Sequence, residues 1–192
     1  TFIATVASIA TVGAKPVFVD VKDDYNIDEN KIEKYITKRT KAIMPVHWSG
    51  RPCELDKIYK LAKKYKLKVI QDSCHAVQAT FKKKGLASYG DACTFSMHPL
   101  KNLNVWGDGG FIITNNKKLA ERLKYLTTTA KIPHKWKYEY SEVGYNYRLP
   151  GINAALGCSQ LSKLKSFINL KRKLFFIYIK NFSKSKNFKI FK

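Results

Sequence analysis

Two residues, Lys101 and Asp72, have the types and positions that covalent amine chemistry needs. Lys101 lies in the stretch FSMHPLKNLNVWGDGG at 95–110, between a short apolar run and a glycine-dense turn. An unprotonated lysine amine condenses with an aldehyde to give a Schiff base, and burial or neighbouring positive charge favours that unprotonated form. Asp72 ends the apolar run LKVIQD at 67–72, where its carboxylate can pair with a buried cation. The two residues are therefore candidates for one site.

Pyridoxal phosphate is a cofactor that requires both kinds of group. Its ring acts as an electron sink while the ring nitrogen is protonated, and an aspartate opposite that nitrogen keeps the proton there. Lys101 and Asp72 would supply the amine and the carboxylate. Taken alone, the pair is weak evidence, because a strand-end aspartate can be structural and a lysine can be solvated. The cofactor site and this structural interpretation both stay open at this point.

The elements that would position these residues alternate along the first third of the chain. Apolar runs predict buried strands at 15–21, 41–48 and 67–72. Helical spacing of apolar residues predicts helices from Thr1 to Gly13, at 26–40 and at 53–66. Strands joined by helices in this order run parallel, which predicts an α/β layered fold.

Polar clusters follow three apolar runs of this region. They are HWSG at 47–50, DSCHA at 72–76 and SMHPLK at 96–101. Reactive groups in parallel α/β folds gather beyond the carboxyl ends of the strands, so we expect these clusters to meet. Within them, His47 and Trp48 either line a substrate pocket or fill structural gaps.

The second half of the chain is predicted to hold one more strand and two helices. DGGFIITNNKKLAERLKYL predicts a strand followed by an amphipathic helix, and a final helix is expected to begin near Pro150. Between them lies a long irregular connection, a length that is typical of functional or disordered segments. Its aromatic residues and Asn146 favour function.

The net charge of +22 raises the alternative of a nucleic-acid or anionic-surface binder. Half of that excess comes from the segment after Glu142, which contains no acidic residue. Only five of the 36 basic residues are arginine, the side chain that readers of bases and phosphates favour. The charge therefore fits a lysine-rich compositional bias better than nucleic-acid binding.

Other features of the sequence bear on location and on metal binding. The four cysteines form no C-x-x-C pair, which indicates neither a zinc site nor a disulfide framework and favours a reducing, cytoplasmic setting. No apolar run approaches the roughly 20 residues that span a bilayer. The first residues lack an initiator Met and a signal-peptide pattern, so we expect a chain that is cut at its start.

Six blocks occur in an order that closely resembles the DegT/DnrJ/EryC1/StrS family of sugar aminotransferases, and the match covers about residues 1 to 172. The blocks are TFIATVASIATVGAKPVFVDV, TKAIMPVHWSGRPCELDKI, KVIQDSCHAVQAT, FSMHPLKN, GDGGFIITNN and GYNYRLPGINAALGC. The resemblance implies an α/β, three-layer, mainly parallel sheet, the large domain of fold-type I pyridoxal-phosphate enzymes. It implies homodimers that share active sites.

The resemblance also implies a division of the chain. Residues 1–149 would belong to the pyridoxal-phosphate-binding large domain, 150–180 to a long helix leading toward a small C-terminal domain, and 181–192 to a basic tail. The family carries a phosphate-binding motif before the segment that matches Thr1, and a small domain after the final helix. We therefore expect a fold that is incomplete at both ends.

Five residues match the family's site positions. Lys101 matches the lysine that holds the cofactor aldehyde and then moves the proton, and Asp72 matches the partner of the ring nitrogen. His75 lies where the family places a Gln or His near the ring. Ser96 matches a hydroxyl donor to the cofactor phosphate, and Asn146 matches an asparagine that reaches the phosphate in the neighbouring subunit.

The activity implied is transfer of an amino group from glutamate to a keto group on a nucleotide-linked deoxysugar. LTTTAKIPH at 126–134 resembles the branch that acts on UDP-linked 4-keto-6-deoxyhexosamines, whereas HPLKNLNVWGDGG resembles other branches. We expect a UDP-linked substrate, no metal, and no nucleic-acid or membrane partner. The alternatives are an inactive fragment of such an enzyme and a basic nucleic-acid-binding protein.

Overall fold

The computed structural model describes residues 2–187. The helices are α1 (Ile3–Thr11), α2 (Leu55–Tyr65), α3 (Lys117–Thr127) and α4 (Gly151–Phe182), and the strands are β1 (Ala42–Ile43), β2 (Lys68–Asp72), β3 (Thr80–Phe81), β4 (Lys84–Gly85), β5 (Ala92–Ser96) and β6 (Gly110–Ile113). Short 3-10 turns cover Glu33–Tyr35, Trp48–Gly50 and Leu86–Ser88.

The main sheet has the strand order β1-β2-β5-β6, and a separate hairpin pairs β3 with β4. The β1–β2 and β2–β5 pairs are parallel, while β6 runs antiparallel to β5 at the edge. Asp72 pairs in register with Thr94, so the carboxyl ends of β2 and β5 lie side by side. The mainly parallel α/β fold predicted from the sequence is confirmed.

Helix α2 packs against the sheet through one apolar face. Leu55, Ile58 and Ala62 recur at helical spacing, and all three are buried. Lys66 caps the end of the helix: its backbone is left-handed (φ 53°), and its N–H donates to carbonyls of the last turn. Ile58 and Ala62 join Ile43 in one core cluster, while Leu55 joins a second cluster.

A third core cluster ties α4 to the segment after β5. Leu164 of α4 is fully buried and packs in one cluster with Met97, Leu103 and Val105. Met97 and Leu103 lie on either side of Lys101 in the sequence. The long helix therefore supports the loop that carries the candidate lysine.

Two predicted elements are wrong. The apolar run at 15–21 forms no strand within residues 2–187, where Val17 and Phe18 are exposed and Val21 makes an isolated bridge to Ile27. An apolar run indicates that a segment is hydrophobic, but a strand forms only where a neighbouring strand pairs with it.

The helix predicted at 26–40 is reduced to the short turn Glu33–Tyr35. The Asp24 and Asp28 side chains accept bonds from the backbone N–H groups of Asn26 and Asn30, which stabilise turns in place of helix.

The strand predicted at 41–48 is shorter than expected. Only Ala42–Ile43 forms a ladder, because Pro45 has no N–H to donate, although Val46 still makes a parallel bridge to Asp72. The final helix begins at Gly151, next to Pro150 as predicted. It includes the first two residues of the predicted basic tail, and residues 188–192 of that tail lie outside the described part of the chain.

Candidate active site

Asp72 is fixed by hydrogen bonds at the carboxyl end of β2. Its Oδ2 accepts a bond of 2.6 Å from the Thr5 hydroxyl, and its Oδ1 accepts one of 3.1 Å from the backbone N–H of Cys74. The residue is only 8% exposed. Both carboxylate oxygens thus have a donor, so the side chain is held in one orientation.

These contacts keep Asp72 ionised. Burial raises the pKa of the Asp72 carboxyl, but the bonds from Cys74 and Thr5 and the nearby His75 together lower the pKa by more, so that it lies below its ordinary value. A buried carboxylate that stays charged at neutral pH can stabilise a positive charge beside it.

Lys101 lies at the end of a tight turn that follows β5. The backbone N–H of Lys101 donates to the carbonyl of His98 at 2.8 Å. On one side of this turn Met97 donates to the carbonyl of Gly109, and on the other side Val105 donates to the carbonyl of Met97. The lysine is therefore held between two buried anchors, unlike a lysine on a solvated helix face.

Lys101 lines a cavity of about 300 Å³, a volume within the range of small-ligand sites. The polar side chains around it are those of Ser49, Cys74, His75, Lys101 and Asn102. Residues from the ends of β2 and β5 and from the loop after β1 thus meet at one place, as the strand order predicts.

His75 and Cys74, which follow Asp72 closely in the sequence, have pKa values that this environment shifts. Burial, and then the positive charge of Lys101, lower the pKa of His75, so its imidazole is neutral at pH 7. Burial and the hydrogen bond with Asp72 raise the pKa of Cys74 to about 12. The Cys74 thiol therefore stays protonated, and we assign it no nucleophilic role.

The turn Trp48–Gly50 packs directly on His75. Gly50 has a left-handed backbone (φ 85°), and a Cβ there would lie 2.9 Å from the carbonyl oxygen of His75. The Trp48 ring meets the His75 ring edge-on, with 5.7 Å between the centroids. Glycine at position 50 thus allows a close approach that orients the wall of the cavity.

Ser96 ends β5, two residues after the strand position that pairs with Asp72. Its Oγ accepts a bond of 3.2 Å from the backbone N–H of His98. A hydroxyl that accepts in this way still has its own proton to donate.

Asn146 lies in a different part of the structure from the cavity. It is exposed, forms a bridge to Thr128, and its Oδ1 accepts a bond of 3.0 Å from Arg148. The structure thus places His75 and Lys101 on the wall of one cavity, and Asp72 lies two residues before Cys74 of that wall. Asp72, Ser96 and Asn146 are not among the residues that line the cavity of the same chain.

His47 belongs to the core instead of a substrate pocket. It is fully buried, its Nδ1 accepts a bond of 3.0 Å from the Cys53 backbone, and its Nε2 lies 2.8 Å from Gln71 Oε1. Because Nδ1 accepts, the proton is on Nε2, which donates to Gln71. Burial lowers the pKa of His47, which keeps it neutral.

Thr5 is a site residue that the sequence analysis missed. It lies on α1, 67 residues before Asp72, and no local spacing connects the two. The bond from the Cys74 N–H could be predicted from the sequence, because Asp side chains often accept from the backbone N–H two residues later.

The described residues contain neither a metal-binding cluster nor a membrane-spanning helix. No group of three or more His, Cys, Asp or Glu within 2–187 is arranged to hold a metal ion. Over the same residues no helix combines the length and the apolar character needed to cross a membrane.

A mainly parallel α/β sheet with a buried, ionised aspartate at a strand end, close to a cavity that a lysine lines, is the architecture of the large domain of fold-type I pyridoxal-phosphate enzymes. The chain belongs to the DegT/DnrJ/EryC1/StrS aminotransferase family, whose profile matches residues 1–192. The resemblance seen in the sequence blocks is confirmed.

Two of the curated relatives are named for nucleotide-linked sugars. The chain is 37% identical to a UDP-4-amino-4,6-dideoxy-N-acetyl-beta-L-altrosamine transaminase of Campylobacter jejuni, over 100% of this chain and 52% of that protein. It is 39% identical to a GDP-perosamine synthase of Escherichia coli O157:H7, over 94% of this chain and 50% of that protein. The chain thus spans about half the length of the curated relatives it matches.

Solved structures agree with the fold. PseC of Helicobacter pylori, an aminotransferase involved in the biosynthesis of pseudoaminic acid, superimposes with a TM-score of 0.93 at 32% identity, over 97% of this chain and 50% of that one. A sugar aminotransferase of Streptococcus pneumoniae, known in a PLP form and a PMP form, superimposes with a TM-score of 0.91 at 25% identity. The superposition on the PLP form covers 97% of this chain and 53% of that one.

Proposed function

We propose that this chain provides the catalytic lysine and the cofactor-binding aspartate of a pyridoxal-phosphate-dependent sugar aminotransferase. The observation that carries the proposal is the ionised Asp72 carboxylate, held by Thr5 and Cys74 beside a cavity that Lys101 lines. The amino donor is glutamate, and the acceptor is a keto group on a nucleotide-linked deoxysugar.

The residues of the cavity fit the cofactor. Bound pyridoxal phosphate would supply an aldehyde carbon and a ring that withdraws electrons while its nitrogen is protonated. Asp72, already charged and fixed in orientation, would hold a proton on that nitrogen. The neutral His75 would line the cofactor site without adding a second positive charge.

Lys101 performs the proton transfers of the reaction. Its Nζ takes a proton from the carbon that bears the donor's amino group and returns one at the acceptor carbon. The turn from His98 holds the backbone of Lys101 while the side chain moves between these two positions. The reaction therefore needs one mobile amine on a fixed backbone.

Ser96 and Asn146 complete the proposed phosphate site. The Ser96 hydroxyl donates to a phosphate oxygen in the same chain, and Asn146 does so from a second copy. Exposed apolar side chains flank Asn146: Val143 is 91% exposed and Ile152 is 83% exposed. Such surfaces are typical of contacts with another chain, which supports a homodimer.

We place the protein in the cytoplasm, where nucleotide sugars and reduced thiols occur together. All four cysteines are free in the structure, which supports a reducing compartment. Within the substrate class we choose a UDP-linked 4-keto-6-deoxyhexosamine, on the basis of the LTTTAKIPH segment and the Campylobacter jejuni relative.

An amino-transfer assay tests this proposal. Purified protein with pyridoxal phosphate and glutamate is offered UDP-, dTDP- and GDP-linked 4-keto sugars, and the amino sugar is measured by mass spectrometry. We expect the UDP-linked sugar to be aminated, and we expect no product from Lys101→Ala. Exclusive use of a GDP- or dTDP-linked sugar would defeat the choice of UDP, and failure with all three would defeat the proposed reaction.

A further inference from the structure

One face of helix α4 lies along the loop that carries Lys101. Asn153, Gly157, Leu164 and Lys171 recur at helical spacing, so they share that face. We propose that Asn153 is a positioning residue for Lys101, because it holds the loop in the place from which the lysine amine reaches the cofactor aldehyde. The inference rests on the proposed function, since it assigns a residue to the formation of the bond between Lys101 and that cofactor.

The amide of Asn153 is bonded to the point at which this loop closes. Its Nδ2 donates a bond of 2.6 Å to the carbonyl oxygen of Val105. The backbone N–H of Val105 donates in turn to the carbonyl of Met97 at 3.1 Å. Lys101 lies midway along the chain between Met97 and Val105, so the Asn153 amide holds the closed end of the loop that presents the lysine.

The bond to Val105 forms where the helix and the loop are in close contact. Val105 is only 1% exposed. Gly157 lies one turn after Asn153, and a Cβ there would be 3.1 Å from Cγ1 of Val105. A buried carbonyl that loses a donor costs free energy until it finds another. Removal of the Asn153 amide should therefore shift the loop.

Two further residues of the same helix face contact the loop. Leu164 is fully buried and packs in one cluster with Met97. The Nζ of Lys171 donates to Oδ1 of Asn102, and Asn102 lines the cavity together with Lys101. The helix thus contacts both the start of the loop and the residue next to the lysine.

The position of the lysine amine determines how fast it forms a covalent bond. Reacting atoms must lie about 3–3.5 Å apart with the correct alignment, and a displacement of about 1 Å can slow a reaction roughly a hundredfold. A loop that is released from α4 would displace Lys101 without removing it. Bond formation would then become slow, while the other groups of the site would remain in place.

Stopped-flow absorbance after mixing the purified protein with pyridoxal phosphate tests this inference. We expect Asn153→Ala to form the covalent bond at Lys101 about tenfold more slowly than the unaltered protein, or slower still, because the loop is no longer held. Pyridoxamine phosphate has an amine in place of the aldehyde, so it binds without a bond to Lys101. Its dissociation constant, measured by calorimetry, should be the same in Asn153→Ala and in the unaltered protein.

Asn181→Ala is the matched control on the same helix. The Nδ2 of Asn181 donates at 3.0 Å to the carbonyl of Ile177, so this variant removes an amide bond within α4 instead of one to the loop. Its rate of bond formation should equal that of the unaltered protein. Asn153→Asp keeps the size of the side chain and loses the donor to Val105, so it provides the same test where Asn153→Ala does not fold.

The outcomes distinguish the inference from the proposed function. A normal rate in Asn153→Ala or in Asn153→Asp would overturn the positioning role and leave the proposed function intact. Binding of pyridoxamine phosphate that weakens by the same factor as the rate would show that Asn153 supports the whole site, and would also overturn the role. If the unaltered protein forms no bond at Lys101, the proposed function fails and the positioning role fails with it.

Discussion

At the scale of single residues, the hydrogen bond from Thr5 to Asp72 ties helix α1 to the chemistry at the end of β2. Because this bond favours the charged carboxylate, it contributes both to stability and to the ionisation that the proposed cofactor-binding role of Asp72 requires. A bond to a charged group is worth about 1.5–3 kcal/mol. Its loss should therefore be measurable without any cofactor.

Thr5→Val is expected to lower the free energy of unfolding by about 1.5–3 kcal/mol at pH 7, because it removes this donor and keeps the shape of the side chain. The folded pKa of Asp72 lies below the ordinary 3.8, so its contribution is complete above pH 3.8 and is lost as the pH falls through the folded value. The difference in free energy of unfolding between Thr5→Val and the unaltered protein should therefore shrink at low pH.

Urea unfolding at pH 7 and at pH 3 measures this difference. Thr5→Ser, which keeps a hydroxyl, is the control and should retain most of the stability. An equal loss for Thr5→Val at both pH values would contradict the role of the charged carboxylate.

The imidazole of His75 offers a second test at this scale. Burial lowers its pKa, and the positive charge of Lys101 lowers it further. Lys101→Met removes that charge, so the pKa of His75 should rise toward 6.5. An NMR titration of the imidazole signals measures the change, with Lys68→Met as the control because Lys68 pairs with Asp91 elsewhere. An unchanged pKa in Lys101→Met would show that the two side chains do not share the cavity.

At the scale of elements, the turn Trp48–Gly50 determines how closely the loop after β1 approaches His75. Gly50 and Gly13 both have a left-handed backbone, with φ of 85° and 74°. A Cβ on Gly13 would meet nothing within 4 Å, whereas one on Gly50 would meet the His75 carbonyl. The two glycines therefore form a matched pair that separates backbone strain from steric contact.

Gly13→Ala should cost about 1–2 kcal/mol in free energy of unfolding, from the left-handed backbone alone. Gly50→Ala should cost about 1–3 kcal/mol more, because the loop must move away from His75. Denaturant unfolding of both variants gives the comparison. Equal losses in the two variants would mean that the loop shifts freely and does not define the cavity wall.

The elements also show how far the sequence could predict the structure. The strand at 68–72 and the helix at 55–65 were predictable because their apolar periodicity coincides with burial against a neighbour. The segment at 15–21 was not, because its apolar character carries no information about a partner strand. The positions of Lys101 and Asp72 beyond strands were predictable, while their proposed roles come from the family resemblance. Thr5 contacts Asp72 only through the tertiary fold, so no local pattern predicts that contact.

At the scale of the whole molecule, the proposed site needs a second copy of the chain. Asn146 is exposed and contacts Thr128 and Arg148 of its own chain, and in the proposed dimer it contributes to the phosphate site of the neighbour. This arrangement predicts complementation between two inactive variants, because one site of a hybrid dimer receives both intact residues.

Lys101→Ala and Asn146→Ala are each expected to have little or no amino-transfer activity. After unfolding and refolding together in equal amounts, half of the dimers are hybrids, and one site of each hybrid is intact. The mixture should recover roughly a quarter of the normal activity. Recovery should be absent when each variant is refolded alone. No recovery in the mixture would show that Asn146 does not act across the dimer.

Lys101, one of 31 lysines, is the residue that we propose forms the covalent bond with the cofactor. Borohydride reduction of the protein after incubation with pyridoxal phosphate makes that bond permanent, and peptide mass spectrometry then identifies the modified residue. We expect a single pyridoxyl group, on the peptide that contains Lys101, and its loss in Lys101→Arg. Modification of a different lysine, or equal modification of many, would contradict the account.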